Sequence, residues 1–259
     1  MRLALPPMLP LPEKTRQFGP DVYGNDLVTY RSTFTSREPG VPQLLLVEQP
    51  EPGSSLLPHY HGSDQFQIFM DGNGKLGAHA VNPVYIHYTN RYTGYGPIVA
   101  GDTGVNYYVF RPSADPLGPG QYLFKTELKE RLKRQTTKKR SFVVDALPVR
   151  SVDELRVLSA PSVEQLFATA DTDPDAGTLA QSICLAPGMR HVCHDPATGG
   201  GQLVMVLQGS AIDGEAELMP RAAIAITRGE SAITLVAGDQ GLQALLMQYP
   251  RWDPGPPAN

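Results

Sequence analysis

Cysteine is almost missing from this chain. Only Cys184 and Cys193 occur in 259 residues, too few to staple a fold, so a secreted disulfide scaffold is set aside. An excess of positive charge is missing too: 22 lysines and arginines face 26 aspartates and glutamates, for a formal net charge of −4. That excludes the overall electrostatic footprint of a nucleic-acid binder. No apolar run reaches membrane-spanning length. The opening MRLALPPMLPLPEKTRQ holds four prolines and no small-residue cleavage site, so it reads as an arm rather than a signal peptide. These absences leave a soluble, cytoplasmic protein with no nucleic-acid and no membrane partner as the expectation.

Turn-forming residues are what the chain has in quantity. Glycine and proline number 25 each and are spread throughout, which favours many short strands over long helices and predicts an all-β fold. The length and the 41% hydrophobic content suffice for two small cores. An internal repeat supports two. QFQIFMDG from Gln65 matches QLVMVLQG from Gln202, and VAGDTGVNYYVFRP from Val99 matches VAGDQGLQALLMQYP from Val236; both pairs, and Pro83 with Pro220, lie 137 residues apart. One register held over three landmarks marks two copies of one supersecondary unit. The expected organisation is an N-terminal arm over 1–20, a first barrel over 21–115, a linker over 116–150, a second barrel over 151–252 and a tail over 253–259. Within the linker, the basic run KTELKERLKRQTTKKR (Lys125 to Arg140) reads as a solvated helix or loop, with a contact to an anionic ligand or partner as the sharper alternative. Ser162 followed three residues later by Gln165 is a capping-box pattern and predicts a short helix in SVEQLFATA.

The most chemically pointed stretch is GSSLLPHYHGSDQFQIFMDG, Gly53 to Gly72. Side chains two apart share one face of a strand, so His59 and His61 can converge on one ion. Gly62, Ser63 and Asp64 can then turn the chain and bring Gln65 beside them. Two neutral imidazoles and an amide oxygen would leave open positions on a bound cation; the same three residues could instead line a metal-free polar pocket. Alternation along the following strand puts Gln65, Gln67 and Phe69 on one face and Phe66, Ile68 and Met70 on the other. The apolar face then needs cover, between units or between subunits of a homodimer.

The spacing Gly53, five residues, His59, one residue, His61, three residues, Gln65, six residues, Gly72 resembles the first motif of the cupin superfamily, with glutamine where that motif usually carries glutamate. The resemblance implies two tandem cupin-like jelly-roll β-barrels, a bicupin, joined by a short charged linker. It implies a divalent metal ion, Fe(II), Mn(II), Ni(II) or Zn(II), held by His59, His61, Gln65 and His87, and a small organic substrate. Dioxygenase chemistry is the leading expectation, with isomerase or lyase chemistry behind it. The second motif fits in two ways. Either Gly77 and Pro83 introduce His87 one position early, or VYIHYTN is a strand, RYTGYG a loop and PIVAG the next strand.

The aromatic run VYIHYTNRYTGYGPI adds Tyr85, Tyr88, Tyr92 and Tyr95 around His87 and Arg91, either ordinary packing or the rim of a pocket. His87, Tyr95 and Arg91 are the candidate catalytic groups, with His87 as fourth ligand or acid/base. No separate organic cofactor site is indicated. The second copy is eroded: His194 is followed by Pro196 where the next histidine should stand, Ile224 replaces His87, and His191, Cys193 and His194 lie together in a glycine-rich loop region. Function is therefore expected in the first copy. The rival class is a non-catalytic, metal-free, small-molecule-binding or sensing bicupin.

Overall fold

The computed structural model describes residues 40–251 other than Pro119 and Pro174, together with three strands before them, Leu3–Leu5, Thr15–Gln17 and Thr29–Thr33. The chain divides into two units, one of residues 10–148 and one of residues 1–9 with 149–259. Both are built on antiparallel sheets. No helix of the described residues is long and apolar enough to cross a membrane.

In the first unit the strands run in the order Ser141–Val144, Tyr85–Thr89, Gln65–Leu76, Ile98–Arg111, Gln43–Gln49, Thr29–Thr33, Thr15–Gln17. Ser55–Leu56 pairs with the start of Ile98–Arg111, and His79–Val81 with the end of Gln65–Leu76. A separate pair joins His59–Tyr60 to Gln121–Tyr122. Alternation decides what these strands bury. Phe69, Tyr85, Tyr107 and Val109 form one apolar cluster with Val47 and Val105. On the opposite face Phe66 lies on Tyr88 at 5.0 Å between ring centroids, and Tyr88 on Phe142 at 5.9 Å. Phe142 is thus part of the cover that the outer apolar residues require.

The second unit orders its strands Leu3–Leu5, Ala223–Ile226, Gln202–Asp213, Thr234–Gln248, Leu179–Leu185, Ser162–Ala168, with Arg190–Val192 and Ala216–Leu218 at the sides. Its long strand Gln202–Asp213 begins and ends 137 residues after Gln65–Leu76, and Ala216–Leu218 keeps the same offset from His79–Val81. The repeat extends to a backbone detail. Gly72 and Gly209 adopt φ of +75° and +69°. A Cβ on either would stand 2.0 Å from a carbonyl oxygen, that of Gly104 or Gly241. Each marks the place where the long strands shift register, a bulge that only glycine permits.

Three expectations change. SVEQLFATA is not a helix; Ser162–Ala168 is a strand along Leu179–Leu185. A bulge at Leu166, between the pairs Gln165↔Gln181 and Phe167↔Ala180, shifts the alternation by one residue. It brings adjacent Leu166 and Phe167 into half-buried positions and so reproduces the spacing of an amphipathic helix. The capping box that does form is Ser151 with Glu154, opening the helix Val152–Arg156. Nor is 116–150 only a linker: it supplies Gln121–Tyr122, the helix Thr126–Lys133 with no buried side chain, and the edge strand Ser141–Val144. The arm over 1–20 contributes Leu3–Leu5 and Thr15–Gln17; its remaining residues, and the tail over 253–259, lie outside the described residues. Cys184 and Cys193 are both buried free thiols.

Candidate functional site

The histidine strand is held from both sides. His59 exchanges both backbone hydrogen bonds with Tyr95, each 3.0 Å, and pairs with Tyr122 on its other edge. The N–H of Tyr92 donates to the carbonyl of His61 at 2.8 Å. The two rings lie 5.1 Å apart and nearly perpendicular, both buried. His59 Nδ1–H donates to the Leu57 carbonyl at 2.7 Å, and His61 Nδ1–H donates to the Asp115 carboxylate at 2.5 Å. Each imidazole is thereby fixed with Nε2 as its lone-pair nitrogen.

A guanidinium lies against His61 and Gln65. Arg111 ends its strand opposite Gln43, while its neighbour Phe110 pairs with Phe66, the residue after Gln65. Gln43, Arg111 and Gln65 therefore lie side by side on three adjacent strands. Arg111 Nε and Nη2 donate to Gln65 Oε1 at 3.2 and 3.0 Å and Nη1 to Gln43 Oε1 at 2.7 Å, while Nη2 lies 3.2 Å from His61 Nε2 and 3.3 Å from its Nδ1, against the imidazole ring. Gln65 Nε2 in turn donates to the Tyr95 hydroxyl at 2.6 Å. Arg111 is 7% exposed, and a charge so buried needs a compensating neighbour.

That neighbour is Asp115, in the loop after the strand. Its Oδ1 accepts the N–H of Gly62 at 3.1 Å and of Leu117 at 2.9 Å, while Oδ2 takes His61. Burial alone would push the carboxyl up; the hydrogen bond and electrostatic attraction of the His61 N–H, the Leu117 N–H and the charge of Arg111 outweigh it and hold Asp115 below its ordinary value. The loop lies close against the rings. A Cβ on Gly120 would come within 2.8 Å of His59 Cδ2.

His59, His61, Gln65 and Tyr95 are thus brought together. His87 is adjacent, its ring 5.4 Å from that of Tyr95, but both its nitrogens serve the protein: Nδ1–H donates to Gln67 Oε1 at 2.8 Å and Nε2 accepts from the Ser141 hydroxyl at 2.9 Å. Burial, with a smaller contribution from His79, pushes its pKa down to about 3. It is a neutral, fully bonded imidazole. Arg91 is paired with Asp64, Nη1 to Oδ2 at 3.1 Å, and its backbone N–H donates to the same carboxylate. It pins the turn after the histidines. Tyr85 is buried among apolar residues with its hydroxyl pKa raised to about 12, first by burial and then by Asp145.

Sequence reasoning missed Arg111, Asp115 and Gln43. One signal was present for the first: the 137-residue offset that pairs Gln65 with Gln202 also pairs Arg111 with Gln248, two polar residues each ending an apolar strand. In the second unit Gln202 Nε2 donates to Gln248 Oε1 at 2.8 Å, the neutral counterpart of the Arg111–Gln65 contact. Pro196 there opens a short 3-10 turn, His194 is exposed and Cys193 buried, so the ligand types in that segment point apart. Among the described residues no group of three or more His, Cys, Asp and Glu is placed to hold a metal ion.

No protein-family model matches the chain, and no curated protein matches it in sequence. Solved structures do match over most of its length. The oxalate decarboxylase of Lactobacillus farciminis, solved as a formate complex, is 13% identical with a TM-score of 0.53, over 95% of this chain and 88% of that one. The bacterial pirin YhhW of Escherichia coli, in complex with nickel(II), is 11% identical with a TM-score of 0.52, over 97% and 100%. The fold is that of a bicupin. A third bicupin, quercetin 2,3-dioxygenase of Acinetobacter baumannii, is 15% identical with a TM-score of 0.50, over 97% of this chain and 80% of that one. At such identities the likeness is one of fold, and bicupins of one fold carry different chemistries.

Proposed function

We propose that this bicupin binds a small organic molecule in its first unit without a resident metal ion. The observation that supports this reading is the Arg111 guanidinium, which donates to Gln65 Oε1, one of the donor atoms that His59, His61 and Gln65 would offer to an ion, and lies against both ring nitrogens of His61. A divalent ion beside a buried guanidinium would be strongly repelled. The residues present therefore do not fit a metal held as the cupin-like motif implies. What they fit is an organic ligand with oxygen functions, met by imidazole, amide, phenol and guanidinium groups in a buried setting.

A second reading has its own support. Both histidines anchor Nδ1–H, one on a carbonyl and one on a carboxylate, as metal-ligating histidines do. It would make the protein a metal-dependent cupin enzyme, with His59 and His61 as ligands, Gln65 as a weak third, and dioxygenase chemistry ahead of isomerase or lyase chemistry. His87 could join it only by giving up Gln67 or Ser141.

Metal analysis of untagged protein purified without chelator separates the two. The first reading expects less than ~0.1 ion per chain, since a site with bound metal must have deprotonated, accessible donors; stoichiometric iron, manganese, nickel or zinc would replace it with the second. Ligands found by thermal-shift screening of small organic acids and phenols should lose binding in the His59→Ala/His61→Ala variant and keep it in His191→Ala/His194→Ala. Equal losses would place the site wrongly.

A further inference from the structure

We infer that two copies of this chain associate through faces of opposite charge: the basic face of residues 124–134 in one copy docks on the acidic hairpin of residues 215–219 in the other, and the contact is made twice. This is independent of what the first unit binds.

Charge is divided along the sequence. Residues 125–140 hold eight lysines and arginines against two glutamates, whereas residues 149–259 hold no lysine and six arginines against thirteen aspartates and glutamates. The basic residues lie in solvent: Lys125, Lys129, Arg131, Lys133 and Arg134 are all exposed, and the helix Thr126–Lys133 buries no side chain. Its inner side is anchored, since the Tyr60 hydroxyl donates to the Leu128 carbonyl at 3.2 Å and Leu128 and Leu132 are half-buried. Its outer side works against it. The N-cap Lys125 makes no side-chain hydrogen bond, and Lys125, Lys129 and Lys133 recur every four residues, which sets like charges side by side on a helix too short to hold alone. Glu130 offsets Lys133 at 2.7 Å. A docked acidic surface would offset the rest. Phe124, 46% exposed, immediately precedes this stripe.

The second unit supplies the complement on the hairpin that joins Gln202–Asp213 to Ala216–Leu218. Glu215, Glu217 and Met219 are exposed, Met219 by 42%. A Cβ on Gly238 would stand 2.9 Å from Glu217 Oε1, which brings the exposed Asp239 alongside. The internal repeat shows that the fold does not require these residues. The first unit builds the same hairpin 137 residues earlier with Ala78, Ala80 and Asn82 at the places of Glu215, Glu217 and Met219. The two faces match in kind as well as in sign, because each sets one exposed large apolar side chain, Phe124 or Met219, beside charged groups. Exposed charges pair weakly and are screened by salt, so the contact is a salt-sensitive one whose specificity comes from sign.

The test is sedimentation velocity of untagged protein at about 50 mM and about 500 mM sodium chloride, with circular dichroism confirming the fold of every variant. Wild type should sediment as a dimer in the lower salt and associate at least ~10-fold more weakly in the higher. K125E/K129E and E215K/E217K should each be monomeric at concentrations where wild type is dimeric. An equimolar mixture of the two should form dimers again, because each reversed face then meets its reversed counterpart and the two unreversed faces meet each other. F124A and M219A should each weaken association about tenfold while leaving its salt dependence in place. If E215K/E217K unfolds for want of the bond that the Ser210 hydroxyl donates to Glu217 at 2.5 Å, E215K/D239K takes its part. A wild type that stays monomeric in the lower salt would overturn the inference, as would reversed variants that associate like wild type or a mixture that remains monomeric. Retention of such a monomeric wild type on heparin, lost in K125E/K129E, would assign the basic face to a foreign polyanion instead.

Discussion

His87 makes the first unit of this bicupin acid-sensitive in a way that can be calculated. The ring is buried, donates from Nδ1 to Gln67, accepts at Nε2 from Ser141, and titrates at about 3 instead of 6.5 because burial, and secondarily His79, disfavours its charged form. An unfolded chain protonates this histidine near its ordinary value while the folded chain does not. Stability is therefore complete above that value and declines as pH falls from it towards the folded one. Between about pH 7.5 and about pH 5 the loss from this one group is ~2 kcal/mol, and it reaches ~4 kcal/mol by about pH 3.

The measurement is urea unfolding of wild type and His87→Gln at both pH values. Glutamine can donate to Gln67 and accept from Ser141 at the same place but does not titrate. Asp115 does not interfere, because its depressed carboxyl titrates below this range, and all other histidines contribute equally to both proteins. The wild type should lose ~2 kcal/mol more than the variant over that interval. Equal losses would refute the neutral, buried state assigned to His87, as would a variant that is the more acid-sensitive of the two.

Two substitutions test the rest of the architecture. Asp115→Asn removes the charge that offsets Arg111 and the acceptor that fixes His61, and should cost ~2–4 kcal/mol at neutral pH by chemical denaturation; the wild-type advantage is present above the ordinary carboxylate value and should vanish as pH falls through the lower folded value. Gly72→Ala puts a Cβ 2.0 Å from the Gly104 carbonyl at a φ of +75° and should cost ~2–4 kcal/mol, with Gly209→Ala acting alike in the second unit. A Gly72→Ala protein as stable as wild type would mean that the bulge is not tight.

Alternation and offset carried most of the fold into the sequence. The polar-apolar pattern of QFQIFMDG places Gln65, Gln67 and Phe69 on the interior face because a strand has a period of two, and the 137-residue offset survives in strand ends, turns and bulge glycines alike. His87 falls on the same face for that reason: it lies directly across from Gln67. Of the two ways to place the second motif, the strand Tyr85–Thr89 followed by a loop and the strand from Ile98 is the one that forms. Where a bulge inserts one residue, as at Leu166, the period breaks and the same letters imitate a helix.

The site's deciding contacts were hidden for a different reason. Asp115 reaches His61 over 54 residues and Arg111 reaches it over 50, and neither distance is encoded by any local period. A motif records the residues on one strand; it does not record what a neighbouring strand's last side chain does with the space between them. Here the glutamine at position 65 is the one local trace of that neighbour. A carboxylate there would pair with Arg111 and a metal would be excluded by it, whereas an amide can accept two guanidinium N–H groups through Oε1 and still donate to Tyr95 through Nε2. The departure from the cupin-like pattern that looked like a weakened ligand is, in this geometry, the acceptor a buried arginine needs.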